Sequence, residues 1–274
     1  MLIRVRHETI YRYGAPTKGA TQRLLMTPRN CDSQRIRRWR VEVDHDCRLI
    51  ETEDAFGNIS HRFYVHGSFS SLTTLVEGEV ETFDTAGVMR GSVERFPLAL
   101  YLRDTPLTQA SAALSAFTED LFAQETTTLA KLHTLNGALY DSMTFDTDTT
   151  HVATTAAEAF EHRQGVCQDF AHMFIACART MGVPARYVSG YFCRADGADD
   201  QAAGHAWAEA YVEDLGWVGF DPAHGRSPDE SHVRVAAALD YLGAAPIRGA
   251  RIGGGSESME VRVRVAEAFA QTQN

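Results

Sequence analysis

Cys167 follows Gly165-Val166 and opens a segment whose apolar residues recur at helical spacing, Phe170, Phe174, Cys177, Ala178 and Met181, until Gly182 and Pro184 end it. A thiol in the first turn of a helix lies beside unpaired backbone N–H groups and the positive end of the helix dipole. Both favour the thiolate, the form that attacks a carbonyl. Such a nucleophile needs a histidine in hydrogen-bond reach, and eleven are available. His172, in the same helix, points about 140° away from Cys167 and is expected in a structural hydrogen bond. His205 opens Gly204-His-Ala-Trp-Ala-Glu-Ala-Tyr-Val212, a strand that alternates His205, Trp207, Glu209 and Tyr211 with alanines and Val212. The small face should pack closely on another element, leaving the large face to line a cleft.

An imidazole used as a base is usually fixed by a carboxylate or amide. Asp221 ends Trp217-Val-Gly-Phe220 and follows the turn Asp214-Leu-Gly216, so a hairpin aligns its strand with that of His205. A turn centred near residue 215 puts Asp221 opposite Glu209, about 13 Å along the strand from His205. Local register thus supports the hairpin without joining the carboxylate to the imidazole.

The elements that must hold these residues divide the chain. Leu2 to Arg6, Arg38 to Val43, Ile59 to Val65 after a Phe56-Gly57-Asn58 turn, and Leu72 to Val80 read as strands of an antiparallel, sandwich-like β domain over residues 1–100. Arg35, Arg37, Arg38 and Arg40 read as a solvated strand face. Residues 101–274 form an α+β core. Helical spacing runs over Leu107 to Ala123 and Thr128 to Met143, and Thr155-Ala-Ala-Glu158 makes a capping box for a helix ending near Arg163. Strands follow at Ala185 to Cys193, His205 to Val212, Trp217 to Phe220, Val233 to Ala238 and Met259 to Val265.

Composition narrows the function. The 274 residues suffice for a large core, and a net charge of -10 without a Lys/Arg-rich stripe speaks against nucleic acid and anionic membrane as partners. No apolar run approaches the roughly 20 residues of a membrane span, and a cytoplasmic protein is expected. Five cysteines without C-x-x-C pairing indicate neither a disulfide framework nor structural zinc. Asp141, Asp146 and Asp148 lack the ligand spacing of a calcium loop, and Asp169 reads as a charge at the positive helix end. No metal and no cofactor are expected.

Gly165-Val-Cys-Gln-Asp-Phe-Ala-His172, Gly182-Val-Pro-Ala-Arg-Tyr-Val-Ser-Gly-Tyr191, Gly204-His-Ala-Trp-Ala-Glu209 and Gly216-Trp-Val-Gly-Phe-Asp-Pro222 resemble, in order, the signature blocks of the bacterial transglutaminase-like superfamily. The first domain resembles the β-rich N-terminal region that accompanies that core. The resemblance implies a papain-like core with Cys167 as nucleophile, His205 as general base and acid, and Asp221 as orienting carboxylate. The activity implied is attack on an amide and a thioester acyl-enzyme. Water then gives a cysteine peptidase or amidase, which is the expected outcome. An amine gives a transamidase, and a binding module that keeps only the fold is the third alternative. Animal members place an oxyanion-stabilising tryptophan upstream of the nucleophile, whereas the tryptophans here are Trp39, Trp207 and Trp217. The Cys167 N–H with Gln164 or Tyr140 is expected to serve instead. Ala238-Leu239 stands where the family usually has Gly-Arg before Asp240-Tyr241. A cleft walled by Trp207 and Tyr241 in an acidic protein should take a peptide or protein amide with neutral or basic flanks.

Overall fold

The structure, a computed structural model, describes residues 1–122, 126–147 and 149–268. Alternation dominates the first strand, Leu2–Thr27. Ile3, Val5, His7 and Thr9 are buried while Arg4, Arg6 and Glu8 face outward. Leu2–Thr27 pairs with Ile59–Thr82 on one side and with Ile247–Gly253 and Glu257–Glu267 on the other, and Gln34–Val43 and Ile50–Glu53 add to Ile59–Thr82. The two long strands change register between Arg12 and Gly19, and Leu24, Phe63, Val65, Leu72 and Val76 gather in one apolar cluster. On the outer face Arg38 and Arg4 bond Glu79, Arg40 bonds Glu77 and Arg37 bonds Glu81. A register shift between Ile36 and Arg38 turns Arg37 and Arg38 both to solvent. The arginine-rich strand is therefore a ladder of exposed ion pairs, each worth little on its own.

A second antiparallel sheet runs in the order His232–Ala238, Ala185–Phe192, His205–Val212, Gly216–Phe220, Val88–Met89. The Cys167–Thr180 helix packs on it. Ala206, Ala208 and Ala210 are the small face expected of the His205 strand, and they share a core with Phe170, Phe174 and Ala178. The helix is buried from Gln168 to Arg179, not along a single stripe, because the helices Ala112–Phe122, Thr128–Ser142 and Ala156–His162 close around its other sides. Its buried cation is fully employed. The Arg179 guanidinium donates to the carbonyls of Tyr101, Ala185 and Leu239 and to Thr108 Oγ1, and burial pulls its pKa down to about 10. The capping box at Thr155 and Glu158 is formed, and Arg163 ends that helix in the left-handed region. Among the described residues no helix is long and apolar enough to cross a membrane.

Sheet membership does not follow a contiguous division at residue 100. Ile247–Gly253 and Glu257–Glu267, expected in the second half, return to pair with Leu2–Thr27, while Val88–Met89 joins the second sheet. The long first strand has a free edge that two amphipathic strands can complete, and alternation alone does not say which edge a strand will find. The Phe56-Gly57-Asn58 turn couples the sheets. Asn58 both donates to and accepts from the Ala237 backbone at 2.8 Å, with Gly57 at φ 81°.

Gly190 marks where the second sheet tolerates no side chain. A Cβ there would collide with the Val233 carbonyl oxygen and lie 2.7 Å from the Trp207 ring. Gly190→Ala is expected to cost about 3 kcal/mol, read as a lower denaturant midpoint at unchanged slope. An unchanged midpoint would show that the strands separate freely.

Candidate active site

Cys167 is the first residue of its helix, after Val166 in extended conformation. Asp169 folds back over this start. Its Oδ2 accepts the Val166 N–H at 2.8 Å and the Thr150 hydroxyl at 2.7 Å. Gly165 permits this, because a Cβ there would lie 2.7 Å from the Asp169 Cβ. Burial pushes the Asp169 pKa up, against the pull of those two hydrogen bonds. Gln164–Gly165 also pairs with Thr144–Phe145, which ties the approach to Cys167 to the end of the Thr128–Ser142 helix. Asp148, one of the carboxylates considered for calcium, lies outside the described residues.

His205 begins its strand opposite Gly190, buried beside Phe192, with ring centroids 5.3 Å apart. Its Nε2 donates to Asp221 Oδ2 at 2.8 Å, and Asp221 is 0% exposed. The hairpin arithmetic therefore needs correction. Glu213, Asp214 and Leu215 form the loop, with Asp214 at φ 68° and Gly216 at φ 87°, and Val212 pairs with Gly216. The centre lies one residue earlier than expected and brings Asp221 level with Trp207. A diagonal neighbour is then within a side chain's reach. The Asp221 backbone pairs with Arg226 in the following turn, which fixes the carboxylate there.

Burial alone would lower the pKa of His205. The charge of Asp221, its hydrogen bond, and a hydrogen bond and charge from Cys167 reverse that and raise it to about 10. Asp221 is likewise desolvated, which favours its neutral form, yet His205 and two further histidines hold it well below the usual carboxylate range. His205 is therefore held by Asp221 through Nε2, which leaves its Nδ1 as the free nitrogen, and Cys167 is a further group that raises its basicity.

The two further histidines have no precedent in the pattern of signature blocks. His224 Nδ1 and His232 Nε2 approach the same Asp221 oxygen at 2.8 and 3.2 Å. His224 lies in the turn after Asp221, a closeness visible in the sequence. His232 arrives from a strand two places away, for which no local signal exists. Tyr187 is fully buried opposite Ala208, a placement that no local pattern signals. Burial raises its pKa, and the charge of Cys167 adds to the effect.

Other expected site residues are placed differently. Trp207 is 2% exposed, between Gly190 and the His232 ring, so it backs the imidazole and cannot wall a cleft. The large face of its strand is covered because Glu209 takes Arg186 and Arg234 across it. Tyr140 is 51% exposed and packs on Gly225 in the turn that follows Asp221. Gln164 is half-buried, just before Cys167. Tyr241 is half-buried, its ring 6.2 Å from that of Tyr187, and its N–H donates to His172 Nε2 at 3.1 Å, the structural role expected of His172.

Comparison with known proteins agrees with this architecture. Residues 115–222 match the transglutaminase-like superfamily, and residues 3–81 match the bacterial transglutaminase-like N-terminal region. An uncharacterized protein of Mycobacterium tuberculosis is 30% identical over 284 residues, spanning 90% of this chain and 86% of that protein. A Pseudomonas aeruginosa protein-glutamine gamma-glutamyltransferase is 30% identical over 102 residues, 32% of this chain and 15% of that protein. A solved Cytophaga hutchinsonii structure, there named a candidate cysteine protease, has the same fold with a TM-score of 0.78 at 21% identity, over 100% of this chain and 92% of that one. With both of its halves matched and near full-length relatives, the chain belongs to the transglutaminase-like superfamily.

Proposed function

We propose that the protein is a thiol-dependent amide hydrolase, a cysteine peptidase or amidase, that works through Cys167, His205 and Asp221. The observation that carries the reading is the buried 2.8 Å contact of His205 with Asp221 beside a thiol at a helix start. An imidazole of raised basicity accepts the Cys167 proton and keeps it as imidazolium, with Asp221 ionised throughout.

The thiolate sulfur bonds to the amide carbon, and the carbonyl oxygen takes the negative charge. The Cys167 N–H is one donor to that oxygen, and Gln164 is the side chain proposed as the second. Collapse of the adduct breaks the C–N bond, and His205 gives its proton to the departing nitrogen. Water then attacks the thioester, His205 takes a proton from it, and the C–S bond breaks to release a carboxylic acid and restore the thiol. The abundance of water makes hydrolysis the default where no amine is held at the thioester. A peptide or protein amide is the proposed substrate.

Iodoacetamide is expected to label Cys167 far faster than the other thiols, and His205→Ala to slow that labelling. Burial pushes the Cys177 thiol up to about 12 and also raises Cys47 and Cys193, so these react slowly near neutral pH. A peptide library turned over with and without a primary amine, read by mass spectrometry, should yield cleaved or deamidated products in both arms. Products carrying the amine would change the acceptor from water to amine. Equal labelling of all thiols would overturn the enzymatic reading.

A further inference from the structure

Asp221 is surrounded by more nitrogen than an orienting carboxylate requires. His205 Nε2, His224 Nδ1 and His232 Nε2 converge on its Oδ2 at 2.8, 2.8 and 3.2 Å. Its other oxygen, Oδ1, is buried with no hydrogen-bond partner. Ligand atoms of His205, Asp221 and His232 all lie within 4.8 Å of one another. Two ligands of a tetrahedral zinc ion stand about 3.3 Å apart, so modest contraction would close a first shell. His224, with its side chain 38% exposed, stands at the open side, where a cation can enter and where a fourth ligand is needed.

We propose that His205, Asp221 and His232, with His224 as the fourth ligand, form an inhibitory site for a divalent transition cation of the zinc class. Imidazole with one carboxylate suits such an ion and not calcium or magnesium, which prefer oxygen. To ligate through Nε2, a neutral histidine must carry its proton on Nδ1, and the surroundings provide for that. Asp229 Oδ1 lies 3.1 Å from His232 Nδ1, nearer than the Asp229 N–H at 3.2 Å, and the Ser231 N–H and hydroxyl hold that carboxylate in place. This is the carboxylate–histidine arrangement that orients metal-binding imidazoles. His205 Nδ1 is the nitrogen that Asp221 leaves free, and the His224 side chain is partly exposed. A bound cation would take the Nε2 lone pair and the Asp221 carboxylate and keep the ring proton on Nδ1, leaving His205 no lone pair with which to accept the Cys167 proton. The inhibition rests on the reading of His205 as base, whereas the binding does not.

The test uses the metal-free full chain. Zinc affinity is measured by competition with a chromophoric chelator, and cobalt is added as a spectroscopic probe. Wild type and Cys167→Ala are expected to bind zinc alike, and cobalt should show visible ligand-field bands without a thiolate-to-cobalt charge-transfer band. His232→Gln should weaken binding at least a hundredfold, and Asp229→Asn, a change outside the first shell, about 10- to 100-fold. Should His232→Gln fail to fold, Asp229→Asn carries the test. Loss of binding in Cys167→Ala, or a thiolate charge-transfer band, would place the metal on the Cys167 and His205 pair and overturn the proposal. Wild-type affinity in both His232→Gln and Asp229→Asn would overturn it too. These readouts need no turnover, so a protein without amidase activity would still decide the metal site.

Discussion

Asp221→Asn is expected to lower kcat/KM for an amide substrate roughly ten-thousand-fold, the scale seen when an orienting carboxylate becomes an amide and the histidine adopts the wrong tautomer. The cause is specific to this site. One ionised oxygen accepts from three imidazoles, and an amide oxygen carries no charge to hold a proton on His205. Burial, which already opposes the imidazolium, then acts without its largest counterweight. The alkaline limit of kcat/KM should fall from near 10 to below the ordinary histidine value of about 6.5. The sign for stability follows from the same shifts. His205 is raised in the folded state, so its contribution is complete below about 6.5 and is lost as pH climbs through about 10. Asp221 is depressed, so its contribution is present above its unfolded value of about 3.8 and is lost as pH falls below it. Between about pH 6.5 and 10, denaturant midpoints should therefore fall less in the variant. An alkaline limit left unchanged would remove Asp221 from the role of orienter.

How far the site is legible in the chain depends on whether its geometry is local. The helix start at Cys167, the capping box at Thr155 and the alternation from His205 to Val212 are encoded within a few residues, and each is found where periodicity and turn chemistry put it. The hairpin exists as read, but its register turned on whether Asp214 or Leu215 sits at the centre. With a two-residue side-chain period, that single step decides which partner Asp221 faces. Asp214 in the left-handed region with Gly216 after it is the local signal for that centre, since Asp tolerates that conformation and Gly supplies the bulge.

Non-local pairing was hidden for a different reason. Trp207 and Glu209 alternate with alanines, which says that two faces differ but not which one meets solvent. Here both are covered, the small face by the Cys167 helix and the large face by Arg186 and Arg234. The expected aromatic wall therefore lies behind the histidine. Glu257–Glu267 was recognisable as a strand, yet its partner is Leu2–Thr27, more than two hundred residues earlier, and no local pattern selects that edge.

Glu209→Gln should cost about 3–5 kcal/mol, because it removes the charge that two buried guanidiniums share. Glu209 is 1% exposed, with Arg186 Nε at 2.6 Å and Arg234 Nε at 2.7 Å. Arg186 also holds Glu94 at 2.8 Å and lies over the Trp217 ring at 3.9 Å, so it cannot swing into water when its partner is lost. These residues join the three strands that place His205 and His232, Ala185–Phe192 between the other two, so the network secures the site as well as the sheet. An exposed pair such as Arg37 and Glu81 is the contrast, and Arg37→Ala should change stability by less than about 1 kcal/mol. Acid adds a second reading. Burial favours protonation of Glu209, but Arg234 and Arg186 prevail and bring its pKa down to about 2. A depressed carboxylate stabilises the fold above its unfolded value of about 4.5 and loses that contribution as pH falls through about 2. Wild type should therefore lose stability more steeply than Glu209→Gln between those limits, with the two curves converging at the acid end. Parallel curves, or a variant within 1 kcal/mol of wild type at neutral pH, would mean that the arginines find other partners and that the cluster does not hold the strands.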